Sequence, residues 1–215
     1  MDIDTQVVPA ALQRRERWRN GAGWTREIFA ARSGGDPGNP WHWRLSIAEI
    51  DADAPFSSFP GVDRELVLLS GNGLRLRFAD GETVELLRPH DRLRFAGERA
   101  LTGDLVDGPT TDFNLMWRPD AVDARLWRRP LVGAMVLFVD PGTTWAVHVL
   151  AGHATFEAPA GLPPLAAGDT ALLAAHGGRT RYAFEGAGEA LVIRISEVAA
   201  STPASADDPG TASSR

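Results

Sequence analysis

FSSFPGVDRELVLLSG, residues 56–71, runs from a polar turn into a strand and on into a tight glycine turn, the lead-in to a small β-barrel. It sets Arg64 where many such barrels carry metal-binding histidines. A pocket whose inward polar groups are arginine, serine and asparagine suits an organic anion, whereas histidine and carboxylate suit iron or zinc. The stretch therefore predicts a metal-free, anion-binding barrel.

Outward from it, strand-type runs recur at WHWRLSIAEI (41–50), LRLRF (74–78), DFNLMW (112–117), AVHVLAG (146–152) and ALVIRIS (190–196), with turn signals between them. No 3.6-residue period outlasts about two or three turns, so only short helices are expected, at PAALQRRERW (9–18) and AVDARLWR (121–128). VLLSGNGLRL around Gly71 resembles HVLAGHATFE around Gly152 at an offset of 81. HDRLRF at Asp91 matches GDTALL at Asp169, and FNLMW at Phe113 matches LVIRI at Leu191, both at an offset of 78. A repeat of that size predicts two similar barrels, the first over 1–118 with the N-terminal strands and the second over 119–198. RSGGDPGNP (32–40) reads as a long loop, and the small, polar tail 199–215 as disordered.

At 215 residues and 44% hydrophobic content, the chain can bury one large β domain or two small ones. Zero cysteines exclude disulfides, thiolate metal sites and cysteine nucleophiles. All 22 Lys+Arg positions are arginine, which excludes a lysine Schiff base and a P-loop lysine. A net charge of −6 with scattered cations argues against direct nucleic-acid binding. Nothing resembles a signal peptide or membrane span, so the expected residence is cytoplasmic, without membrane partners.

WRNGAGWTREI (18–28), WHWRLSIAEI (41–50), FSSFPGVDRELVLLSGNGL (56–74) and LVDGPTTDFNLMWR (105–118) together resemble the HutD/Ves family of bicupins. Downstream, WAVHVLAG and LAAGDTALL fit the general cupin pattern. Ala22 stands where many members carry glycine. The resemblance implies an all-β pair of double-stranded β-helix barrels, with the pocket in the first and a mainly structural second. It also implies a modulator of histidine utilisation that binds an anionic pathway intermediate such as urocanate or formylglutamate. No established reaction comes with the family.

Cupins usually hold a metal through two histidines spaced two apart, a following glutamate and a third histidine. Glu65 can stand for the glutamate, but residues 59–63 hold no histidine, and the second half offers Ala146 with no ligand in 141–145. His148 and His153 are five apart on a strand and face opposite sides; with His176 they make a poor metal set. His42 and His90 sit beside turn residues and read as solvated, so neither metal nor cofactor is expected.

The stronger constellation is polar. Alternation in WRLSIAEI puts Arg44, Ser46 and Ala48 on one face and Trp43, Leu45, Ile47 and Glu49 on the other. The first face is too polar for a core and suits a ligand cavity, unless Arg44 points outward. Arg64, Arg26 and Asn20 converge there if the first strands are neighbours. Arg64 is either a pocket anchor or a surface partner of Asp63 or Glu65, and Arg26 is either a cavity residue or a partner of Glu27 on a solvated face. Asn114 completes the pocket or pins its strand, while Phe59, Phe56 and Trp18 are walls or core.

No GxSxG elbow, Ser-His-Asp order or close carboxylate pair is present. The expected function is binding of a small carboxylate by a monomer or homodimer. The alternative is a cofactor-independent isomerase or lyase with Glu49, Glu65 or a histidine as base.

Overall fold

The computed structural model describes residues 3–35 and 40–198. In chain order its strands are β1 (Gln6–Val8), β2 (Arg14–Arg17), β3 (Gly23–Arg32), β4 (Trp41–Ile50), β5 (Ala54–Pro55), β6 (Asp63–Ser70), β7 (Leu74–Phe78), β8 (Thr83–Leu86), β9 (Arg92–Ala96), β10 (Leu101–Leu105), β11 (Thr110–Trp117), β12 (Val122–Val139), β13 (Thr143–Phe156), β14 (Leu165–Ala166), β15 (Thr170–Leu173) and β16 (Thr180–Glu197). Among the described residues there is no α-helix, only 3-10 turns at Ala10–Leu12 and Ser33–Gly35, and so no helix able to cross a membrane.

Three antiparallel sheets carry the fold. Sheet one runs β2-β3-β4-β11-β6-β9, sheet two β5-β10-β7-β8, and sheet three β1-β15-β13-β16-β12 with β14 beside β13. Period-2 alternation explains the layering, because the central strands of sheet one turn alternate residues to two buried faces, one wholly apolar and one apolar at one end and polar at the other. Trp43, Leu45, Phe113, Leu115 and Trp117 pack against Ala146, Leu191 and Ile193 of sheet three. The opposite face, with Ala48, Ile50, Leu66 and Leu68, closes on Leu74, Leu76 and Leu101 of sheet two. Sheet three encloses its own core, to which both ends of β13 contribute through Val147, Val149, Ala154 and Phe156. The result is an all-β bicupin, two barrels back to back across a shared apolar layer. β1 pairs with β15 and so lies in the sheet of the C-terminal half.

The repeat has a hydrogen-bonded signature. Leu68 N–H donates to Asp91 O (2.9 Å) and His90 N–H to Leu68 O (2.6 Å); Val149 N–H donates to Asp169 O (3.0 Å) and Gly168 N–H to Val149 O (2.8 Å). His90 adopts φ 73° where the second half has Gly168 at 91°. Gly71 and Gly152, the turn glycines, have φ of 105° and 81°.

Neither expected α-helix forms: 9–18 holds the 3-10 turn Ala10–Leu12 and then β2, and 121–128 runs into β12. Over 9–18, Leu12 is 77% exposed and offers no core stripe, while Arg14–Arg17 pair with β3 along the sheet edge. Over 121–128, Val122, Ala124 and Leu126 alternate into the shared layer, a strand period. Part of the expected 32–40 loop and all of the expected disordered tail lie outside the described residues.

Candidate functional site

Register builds the site. Arg44, Met116 and Arg64 form one row across β4, β11 and β6; Ser46, Asn114 and Leu66 form the next; Ala48, Asp112 and Leu68 the third. All point into the first barrel, opposite the face that Trp43, Leu45, Phe113 and Leu115 present to sheet three. Of these, Arg44, Ser46, Ala48, Arg64, Asn114 and Met116 wall a cavity of about 410 Å³, completed by Glu16 to Asn20, Thr25, Pro55 to Ser57 and Phe59, while Leu66, Leu68 and Asp112 lie deeper in the barrel, off the cavity wall. Trp18 is fixed on the cavity wall by its indole N–H on Thr25 Oγ1 (2.8 Å) and by edge contact with Phe56 at 6.4 Å.

Arg64 is 5% exposed. Its Nη2 donates to Asn114 Oδ1 at 2.8 Å, its Nε has no partner, and no carboxylate among the described residues pairs with it. Asp63 is held by Arg94 (2.8 Å) and Glu65 by Arg92 (3.2 Å), so the surface-partner alternative is set aside. Three rings surround the guanidinium, Phe95 at 5.1 Å, Phe56 at 5.4 Å and Phe59 at 5.6 Å. Burial, then the neighbouring Arg44 charge, pushes its pKa down to about 10, which leaves it cationic at neutral pH. A buried charge without a counter-charge is unfavourable by several kcal/mol unless a ligand supplies one.

The other expected residues divide. Ser46 and Asn114 are buried on the cavity wall, and Asn114 both faces the cavity and pins Arg64. Arg44 lines the cavity but its Nε is engaged by Glu27 at 2.7 Å. Asn20 is exposed at the rim, where its amide oxygen accepts Ala22 N–H at 3.1 Å. Phe59 is half-buried, between Trp41 and Arg64. Arg26 is a correction: strand alternation turns it away from the cavity-lining Thr25, and it pairs with Glu49 at 2.8 Å rather than with Glu27. Glu49 and Glu65, the two named candidate bases, are likewise outside the cavity. Met116, Arg17, Arg19 and Thr25 were not anticipated. Met116 follows Asn114 at the strand period, Arg17 and Arg19 lie on or beside the stretch 9–18 read as helix, and Thr25 is the neighbour of Arg26 on β3.

His42 and His90 are half-buried rather than solvated: His42 Nε2 lies 2.9 Å from Ser33 Oγ, and His90 is 3.8 Å from Glu189. His148 is buried against Phe113 with Nδ1 2.9 Å from Thr170 Oγ1, and burial pushes its pKa down to about 4. Among the described residues no three His, Asp or Glu side chains are placed to share a metal ion.

Paired cupin barrels with an arginine-centred cavity in the first define the class. The HutD family model matches residues 10–192, and the chain belongs to that family. It is 39% identical over 121 residues to an uncharacterized 21.2 kDa protein in the hutC 3′ region of Pseudomonas putida, covering 56% of this chain and 62% of that protein. It is 39% identical over 125 residues to protein Ves of Cronobacter sakazakii, covering 58% and 64%. The match thus spans less than two thirds of the length of either relative. HutD from Pseudomonas fluorescens SBW25 superposes with a TM-score of 0.77 at 28% identity, over 91% of this chain and 100% of that one.

Proposed function

We propose that the first-barrel cavity binds a small organic anion through Arg64, with Arg44, Ser46 and Asn114 beside it, and that this binding modulates histidine utilisation. The observation that carries the reading is a buried, cationic Arg64 without a carboxylate partner among the described residues, on the wall of a cavity. A ligand carboxylate would supply the missing counter-charge. The relative found in a hutC 3′ region directs the choice of ligand to the intermediates of that pathway, urocanate and formylglutamate.

Thermal-shift measurements with urocanate, formylglutamate, histidine and glutamate test it. A ligand at 100 times its Kd stabilises by about 2.7 kcal/mol, a readily measured shift. The expected result is a shift with one of the anions that Arg64→Ala abolishes. A response that survives Arg64→Ala, or no response to any of them, rejects the reading.

A further inference from the structure

Asp112 is the fully buried carboxyl of the first barrel, and the proposed binding does not use it. It lies two residues from Asn114 on the same face of β11, directly opposite the cavity-lining Ala48. Its Oδ2 accepts from Thr110 Oγ1 at 3.0 Å, and its Oδ1 has no partner. Around it, β4 contributes Ser46, Ala48 and Ile50, and β6 contributes Leu66 and Leu68. Leu74, Leu76 and Leu101 of sheet two close the barrel beneath. The charged pairs of sheet two, Arg75–Glu85 and Arg77–Asp104, alternate with these leucines and so face outward. The charges that share the inward face with Asp112 are Arg44 and Arg64; Glu16, the carboxylate on the cavity wall, lies at the mouth.

We infer that anion binding in this cavity is proton-linked: the anion enters with Asp112 protonated, and ionised Asp112 repels it. The inference rests on the proposed binding at Arg64. Burial raises the Asp112 pKa to about 7, with the Thr110 hydrogen bond opposing, so its charge state changes within the physiological range. A second negative charge in the same desolvated barrel raises that pKa further. By linkage, binding takes up a proton, and affinity falls as pH rises through the Asp112 midpoint.

The test follows the side-chain carboxyl of Asp112 by carbon-13 NMR from pH 5 to pH 9, without and with formate, which stays ionised throughout. At an effective dielectric near 20, two charges roughly 10 Å apart shift one another by about one pH unit, a roughly tenfold change in formate affinity across the transition. The expected result is a midpoint near neutrality that formate raises, and formate affinity that becomes independent of pH in Asp112→Asn. Formate shifts at Arg64 and Asn114 with an unmoved Asp112 titration overturn the proton linkage alone. No formate shift at any of the three overturns it together with the binding reading, and a midpoint below pH 5 overturns it whatever formate does.

Discussion

Arg64 is held between opposing effects whose balance is measurable. The drop of its pKa from 12.5 to about 10 corresponds to about 3 kcal/mol against the buried charge. The three phenylalanine rings return about 0.5 kcal/mol each at these off-centre distances. Arg64→Met is therefore expected to raise stability by about 1 kcal/mol in urea unfolding while abolishing the ligand response, since a methionine fills similar space without a charge. A loss of stability would make Arg64 a structural cation instead. Two further residues set the pH response. Asp112 is pushed up to about 7 by burial, so folding binds its proton more tightly and stability falls as pH rises from about 4 to 7. His148 is pushed down to about 4, so its contribution is lost as pH falls from 6.5 to 4. The two slopes oppose each other between pH 4 and 6.5. Asp112→Asn should unmask the histidine, giving stability that rises by about 1.4 kcal/mol per unit over that window and then levels. Urea midpoints at half-unit pH steps would read it; a variant curve parallel to that of the wild type would refute it. At this scale the inward row Arg44–Ser46–Ala48 was legible because alternation needs only one strand. The exclusion of Arg26 was not, since it depends on which way β3 presents its faces to β4.

Elements differ in how much of their pairing the sequence encodes locally. β4, β6, β7 and β11 were legible within a residue or two, since β-branched and apolar alternation agreed with turn signals at both ends. β2 was missed because an Arg-rich, exposed edge strand has no apolar period, and only its pairing with β3 defines it. β12 was read as helix because AVDARLWR also permits a helical spacing, and the tertiary face of Val122, Ala124 and Leu126 decides between them. The same strand shows how an exposed edge is protected. Val198 N–H donates to Ala121 O and the β12–β16 register is unbroken, so the even residues of β12 turn their backbone groups to the open edge. Pro130, without an N–H, sits at one of these positions, and Gly133 with φ 72° breaks the extended run three residues on. Where β13 and β16 cross, a Cβ at Gly152 would lie 1.8 Å from Ala187 O, whereas one at Gly108, also at positive φ, would meet nothing within 4 Å. Gly108→Ala should destabilise by about 1 kcal/mol, the left-handed penalty alone, and Gly152→Ala by more than about 3 kcal/mol. Equal effects in thermal unfolding would mean that the crossing relaxes freely.

The molecule as a whole is joined by more than a linker between barrels. The sequence repeat made two similar halves legible, because the turn at Gly71 and Asp91 recurs at Gly152 and Asp169. It did not show that the halves share a core, because a strand apolar on both faces looks the same whether its second face meets its own barrel or a neighbour. In the structure Trp43, Leu45, Phe113, Leu115 and Trp117 from the first half bury against Leu191, Ile193 and Ile195 from the second. β1 crosses over to pair with β15, and Thr5 Oγ1 accepts Ala174 N–H at 3.1 Å while lying 2.8 Å from the Tyr182 hydroxyl. Cutting after Arg118 would therefore expose two tryptophans that are at most 1% accessible and leave β1 without a partner. Burial of each such large side chain is worth about 2–3 kcal/mol, so the two together amount to about 4–6 kcal/mol, comparable with the roughly 5–15 kcal/mol by which a domain is stable. We expect residues 1–118 expressed alone to lack amide dispersion in a proton–nitrogen NMR spectrum. The full chain should unfold in urea as one transition, with tryptophan fluorescence and far-ultraviolet circular dichroism coincident. A dispersed spectrum from the fragment, or two separated transitions in the intact chain, would show instead that each barrel is stable alone and that the shared layer only docks them. In that case a ligand in the first barrel would leave the second barrel's transition where it was, whereas a shared core raises the single midpoint of both.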